Sequence, residues 1–166
     1  MMFNDPGTER VYELADEAAT GQLAARIADA ATAGDVIALI GGLGAGKTAF
    51  ARAFIRHLCD ADEDVPSPTF TLLQTYTSRA GEIYHFDLYR LKDADEALEL
   101  GIEEAFADGI TLIEWAERLD GMLPADRLEL RLDPGPRADA RRATLVGHGF
   151  WMAKLAESID DGAIHG

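Results

Sequence analysis

The stretch GGLGAGKT, residues 41–48, follows directly on the apolar run DVIALI and opens a segment, KTAFARAFIRHLC, whose apolar residues recur at helical spacing. That order constrains the fold more than any other feature of the chain. Gly41, Gly46, Lys47 and Thr48 satisfy G-x-x-x-x-G-K-[ST], a pattern that has meaning between a buried strand and a helix N-terminus. A β-branched run with no polar break is expected in a strand covered on both faces by helices, and therefore in a sheet with parallel pairing around it. From Lys47 onward, Phe50, Phe54, Ile55 and Leu58 fall on one helical stripe.

Around this centre, residues 8–14 predict a short strand and residues 15–34 a helix ended by Gly34. FTLLQTYT and EIYHFDLY predict a hairpin across SRAG. DADEALELGIEEAFAD reads as helix broken at Gly101, GITLIEW as a buried strand ending in an acid, and RLELRLD and RRATLVG as strands across a Pro and Gly turn. FWMAKLAESI predicts a final helix, with residues 160–166 a frayed tail. The fold class expected is α/β, a three-layer P-loop NTPase-like domain with a mixed, partly parallel central sheet, and all 166 residues are expected to form a single domain.

Composition narrows the function classes. A net charge of −15 repels phosphodiester backbones, so any nucleic acid is expected to be handled by a partner. Cys59 is the only cysteine; it cannot form an internal disulfide and reads as a helix-packing residue. With no long apolar run and no basic, apolar leader at the N-terminus, the expected location is the cytoplasm, without membrane contact.

The loop states its chemistry through its residue types. Side-chain-free positions let the backbone curl around phosphate oxygens, so the N–H groups of Gly44, Ala45, Gly46, Lys47 and Thr48 can point at an anion at the helix N-terminus. Lys47 can reach the β and γ phosphates, and the Thr48 hydroxyl is placed for Mg²⁺. A carboxylate near that magnesium is also needed, and two acids at the ends of buried strands qualify, Asp87 and Glu114; their spacing does not rank them. Ser67, Thr69 and Thr71 offer hydroxyls in the rigid SPTFT segment, which reads as an ordinary turn or as a loop that senses the γ-phosphate. His85 is expected to pack or hydrogen-bond, and Trp115 to be core. No Cys and His cluster suits zinc, and no spacing supports a Ser, His and Asp set.

Taken in order, GGLGAGKTAFARAF, VPSPTFTLLQTY, IYHFDLYRL, LGIEEAF and ITLIEWAERL resemble the TsaE family, the ATPases of bacterial tRNA threonylcarbamoyladenosine synthesis, over residues 8–147. The resemblance implies a small Mg²⁺-dependent ATPase that docks on the TsaB and TsaD proteins, with TsaC acting upstream, and resets that complex between turnovers. Contact with tRNA would be indirect. It further implies that Lys47 grips the phosphates and that Thr48 and Glu114 ligate Mg²⁺. Asp87 would serve at the metal, directly or through water, or at the attacking water. The remaining nucleotide contacts implied are Gly44 to Ala49, Thr20, Trp115, Ser67 and Thr69, the last two in a switch-like loop formed with Pro68. Two positions depart from the family pattern: Gly42 stands where an acid is common and Ala49 where a second threonine is common. A small-molecule kinase would use the same loop but needs an arginine-bearing lid, for which the candidates are Arg137, Arg141 and Arg142. A third reading is a docking module that binds nucleotide without hydrolysing it.

Overall fold

In a computed structural model of the chain, residues 9–158 are described. Seven strands form one sheet: β1 (Glu9–Leu14), β2 (Val36–Ile40), β3 (Leu73–Ser78), β4 (Gly81–Asp87), β5 (Ile110–Glu114), β6 (Arg127–Pro134) and β7 (Arg141–His148). Their order across the sheet is β1-β7-β6-β2-β5-β4-β3. The strand β2 lies between β5 and β6 and is parallel to both, and β4 is parallel to β5. The hairpin β3–β4 and the strands β6, β7 and β1 supply the antiparallel pairs.

The uninterrupted apolar run of β2 is explained by two covered faces. Ile37 and Leu39 point into a core shared with α1 (Glu17–Ala30), α2 (Lys47–Leu58) and α5 (Phe150–Ser158). Val36 and Ala38 point into a second core with α3 (Ala94–Glu99), α4 (Ile102–Asp108) and a 3-10 helix at Ala116–Met122. These are the three layers expected. The helical stripe of α2 is buried throughout, with Phe50, Phe54 and Ile55 at 0% exposure, and each such side chain contributes about 1.5–3 kcal/mol. Among the described residues no helix is long and apolar enough to cross a membrane.

Three local expectations change. The helix α1 ends at Ala30, not at Gly34: Ala31 is already extended, and a turn follows in which Asp35 N–H donates to the Thr32 carbonyl at 3.0 Å and Thr32 N–H to the Asp35 carboxylate at 2.7 Å. Gly34, at φ 96°, serves that turn. The run FTLLQTYT becomes strand only from Leu73, because Leu72 sits at φ 68° with its N–H bonded to the Pro68 carbonyl. EIYHFDLY leaves the sheet after Asp87. The expectation of a frayed tail at residues 160–166 lies outside the described residues.

The parallel strands β2, β4, β5 and β6 all end at the same edge of the sheet. In α/β folds that edge is where ligands bind. Register places Asp87 beside Glu114, and Glu114 beside Leu39, the residue before the last of β2. The chain can leave β2 only through glycine at position 41: φ is 154°, and a Cβ there would lie 2.6 Å from the Leu132 carbonyl oxygen of β6. Because the obstacle is backbone within a ladder, Gly41→Ala is expected to lower stability by about 2 kcal/mol or more, measured by urea unfolding of the whole chain.

Candidate active site

The loop between β2 and α2 turns left-handed at Gly44 (φ 73°) and again at Gly46 (φ 104°), the residue that caps α2. Unlike α1 and α3, whose first turns donate N–H groups to the carboxylates of Asp16 and Asp93, α2 has no side-chain cap among the described residues. Its first N–H groups are thus directed at whatever occupies the cleft in front of them, with the positive end of the helix dipole behind. That cleft, about 380 Å³, is lined by residues 43–49 together with Ser67, Thr69, Asp87, Tyr89, Arg90, Glu114 and Trp115.

Inside it, Lys47 is only 4% exposed. Its ammonium donates to the carbonyls of Gly41 at 2.6 Å and Gly42 at 2.8 Å, and lies 4.1 Å from the centre of the Trp115 ring. Burial lowers its pKa from the ordinary 10.5, against the opposing pull of Glu114, then Glu117 and Asp87. Trp115 holds a left-handed conformation, φ 61°, directly after β5, a placement a bulky residue adopts only when its surroundings enforce it. Its ring is held against Tyr89, centroids 4.9 Å apart.

The Thr48 hydroxyl donates to Glu114 Oε1 at 2.7 Å. The other carboxylate oxygen, Oε2, meets His85 Nε2 at 2.7 Å, with His85 fully buried. Since His85 Nδ1 has no hydrogen-bond partner among the described residues, the tautomer with its proton on Nε2 is the one that fits, donating to Glu114. Strand pairing explains this contact: His85 is opposite Leu112, two residues before Glu114 and on its face of the sheet. Asp87 is oriented differently. Its Oδ2 accepts from the Thr69 hydroxyl at 3.1 Å and its Oδ1 from the Tyr89 N–H at 3.0 Å, while Thr69 and Ser67 share a hydroxyl contact of 2.7 Å.

The sequence-derived set is therefore drawn together with three exceptions, Thr20, Pro68 and Thr71. Lys47, Thr48, Asp87, Glu114, Ser67, Thr69, Trp115 and the loop residues Gly44 to Ala49 share the cleft. Thr20 instead lines an adjacent hollow of about 230 Å³ with Gly46, Ala49 and Arg141. Trp115 lines the cleft rather than the core alone, and Thr71 is not among the lining residues. Tyr89 and Arg90 went unassigned in the sequence, although they follow Asp87 in HFDLYRL; they reach the cleft only because β4 ends at Asp87. At Gly42 a Cβ would meet nothing within 4 Å, so packing does not require glycine there. Among the described residues no group of three or more His, Cys, Asp and Glu side chains could hold a metal alone. A hydroxyl and a carboxylate as the available donors fit a hard cation that takes its other ligands from water and phosphate, as Mg²⁺ does.

The family model described as Threonylcarbamoyl adenosine biosynthesis protein TsaE matches residues 14–143. A tRNA threonylcarbamoyladenosine biosynthesis protein TsaE from Rickettsia felis is 44% identical over 120 residues, 72% of this chain and 70% of that protein. One from Bacillus subtilis is 40% identical over 127 residues, 76% and 78% of the two chains. Among solved structures, the crystal structure of YdiB from Bacillus subtilis superposes with a TM-score of 0.74 at 31% identity, covering 90% of this chain and 92% of that one.

The lowered pKa of Lys47 sets a pH dependence. The fold disfavours its charged form, so Lys47 subtracts stability at neutral pH, and that cost is relieved as pH rises from its lowered value towards 10.5. The grip on an anion moves the other way. Affinity for an added polyphosphate anion, followed by tryptophan emission, is expected to fall as pH rises, with its midpoint below 10.5; a midpoint at or above that value contradicts the burial effect.

Proposed function

The chain belongs to the TsaE family, and from that premise we propose that it is a Mg²⁺-dependent ATPase of tRNA threonylcarbamoyladenosine synthesis, acting in the cytoplasm on a TsaB–TsaD pair and resetting it between turnovers. The observation that carries the reading is the contact between the Thr48 hydroxyl and Glu114, 2.7 Å, beside a buried lysine at the mouth of an uncapped helix. A hydroxyl and a carboxylate from two different elements, brought together next to a phosphate-binding loop, are the protein's share of a magnesium site.

Each residue then has a part. When bound, Mg²⁺ supplies charge neutralisation of the β and γ phosphates. Thr48 and Glu114 would hold it, with His85 fixing the free oxygen of Glu114 so that the other faces the hydroxyl. Lys47 would exchange its carbonyl partners, Gly41 and Gly42, for phosphate oxygens and neutralise charge that develops on them. Asp87 has no bond to Thr48 in the geometry above and is assigned to orient the attacking water. The adjacent hollow lined by Thr20 and Ala49 is assigned to the nucleoside end.

The chain Ser67–Thr69–Asp87 joins the SPTFT segment to the water-positioning acid, which supports its role as a switch. Rim residues Leu43 and Phe70, 73% and 82% exposed, and the half-exposed Tyr89 offer apolar surface for a partner to cover, which supports slow hydrolysis by the free protein. The kinase alternative weakens at its lid. Arg137 donates to the Ala15 carbonyl, Arg141 to carbonyls of the loop, and Arg142 to Glu13, so all three are engaged by the protein itself.

The decisive experiment is multiple-turnover tRNA modification with purified TsaB, TsaC and TsaD, with and without this protein and ATP. Repeated cycles are expected only when both are added, and Lys47→Ala or Glu114→Ala should reduce them on the order of a hundredfold; cycling undiminished in both variants would leave a non-hydrolysing docking module as the better account. Thr69→Ala should lower kcat on the order of tenfold through a misplaced Asp87, with KM for ATP little changed in steady-state assays.

A further inference from the structure

One arginine joins the β6–β7 turn to the phosphate loop. Arg141, the first residue of β7, donates from Nε to the Ala45 carbonyl at 2.8 Å and from Nη2 to the Gly44 carbonyl at 2.9 Å. Its remaining nitrogen, Nη1, donates to the carbonyls of Ala138 at 2.8 Å and Ala140 at 2.7 Å. The turn that holds it is itself closed, with Gly135 N–H on the Ala140 carbonyl at 2.9 Å and Ala140 N–H on Arg137 at 3.1 Å. At the strand, Arg141 pairs with Leu14 of β1 and Pro134 of β6. The side chain passes under Gly46: its Nε and Cγ lie 3.6 and 3.9 Å from where a Cβ on that glycine would stand.

The loop needs such a restraint. Gly44 and Gly46 have the left-handed conformations that only glycine adopts readily, and the same freedom lets their peptide planes rotate. In a trans peptide the N–H points opposite to the carbonyl. Holding the Gly44 and Ala45 carbonyls towards the guanidinium therefore turns the N–H groups of Ala45 and Gly46 away from it, and for Gly46 this is the sense in which a phosphate loop presents its N–H. Ala45 N–H already closes onto the Gly42 carbonyl at 3.1 Å, which secures the first of these planes twice. A planar guanidinium with donors in fixed directions can set two adjacent peptides at once, and a lysine cannot.

We propose that Arg141 is the positioning residue of the phosphate loop: it sets the peptide orientations of residues 44–46 before the anion arrives, so that little ordering remains to be done on binding. The inference rests on the ATP-binding reading above and adds a residue that touches neither the γ-phosphate nor the metal. Loss of the restraint would weaken capture of the polyphosphate and spare the later step.

The test compares Arg141→Met, Arg141→Lys and, as a neighbouring control, Arg142→Met, whose parent side chain pairs with Glu13 at the surface. Calorimetry measures the affinity of each for Mg²⁺·ATP and for inorganic tripolyphosphate, which has no base or ribose. Arg141→Met is expected to weaken both ligands by a similar factor, on the order of tenfold or more. Its kcat at saturating ATP should change by less than about threefold. Arg141→Lys should recover part of the loss, and Arg142→Met should bind as the parent does. Folded Arg141→Met with parental affinity for tripolyphosphate overturns the inference, as does a loss confined to ATP, which would place Arg141 at the nucleoside. Should Arg141→Met not fold, Arg141→Lys decides, parental affinity again overturning the inference. If the parent protein binds neither ligand, the ATPase reading fails as well; if it binds both and the variants match it, this inference fails alone.

Discussion

The fold is organised around a lysine and two carboxylates that are almost fully out of water: Lys47 and Asp87 at 4% exposure and Glu114 at 2%. Burying such groups is costly unless each is compensated. Every one of them is. Lys47 has two carbonyls and an aromatic face, Glu114 has a hydroxyl and an imidazole, and Asp87 has a hydroxyl and a backbone N–H. These partners come from the loop after β2, from α2 and β4, from the segments that follow β4 and β5, and from the SPTFT segment, so the site can exist only when the parallel strands and the helix after the loop are assembled.

The same contacts explain why the cleft is poised rather than relaxed. Lys47 points at the carbonyls of its own loop, and Thr48 closes on Glu114; both are groups that an anion and its cation would re-engage. A left-handed tryptophan and a chain of two hydroxyls ending on Asp87 flank that arrangement. The SPTFT segment and the strand-end carboxylate of Asp87 are thus one hydrogen-bonded unit, so a displacement of that segment would reach Asp87.

Much of this was legible in the chain. The apolar run of β2, the glycine pattern and the stripe of α2 carry their own periodicities, and the hairpin and the break at Gly101 announce themselves through turn residues. The errors at Gly34 and Leu72 have a common cause. In the first case a side-chain carboxylate, Asp35, took over the turn, and in the second an N–H bond to Pro68 bent a run of strand-forming residues out of the sheet. Local propensity does not see either partner. His85 and Arg141 were noticed as residue types, but a histidine twenty-nine positions before its glutamate and an arginine some ninety-six after its carbonyl acceptors leave no spacing signal.

What the sequence by itself determined is the chemistry on offer: a backbone cradle for phosphate, one lysine, one hydroxyl and two acids at strand ends, because these depend on residue type and on contacts close along the chain. Which acid meets Thr48, which one hangs from Thr69, and which arginine braces the loop were decided only by tertiary structure. The register of β4 against β5 sets two carboxylates side by side, and the partners that tell them apart arrive from distant segments. Sequence spacing does not encode that arrival, since it follows from which strands lie next to one another once both faces of the sheet are covered.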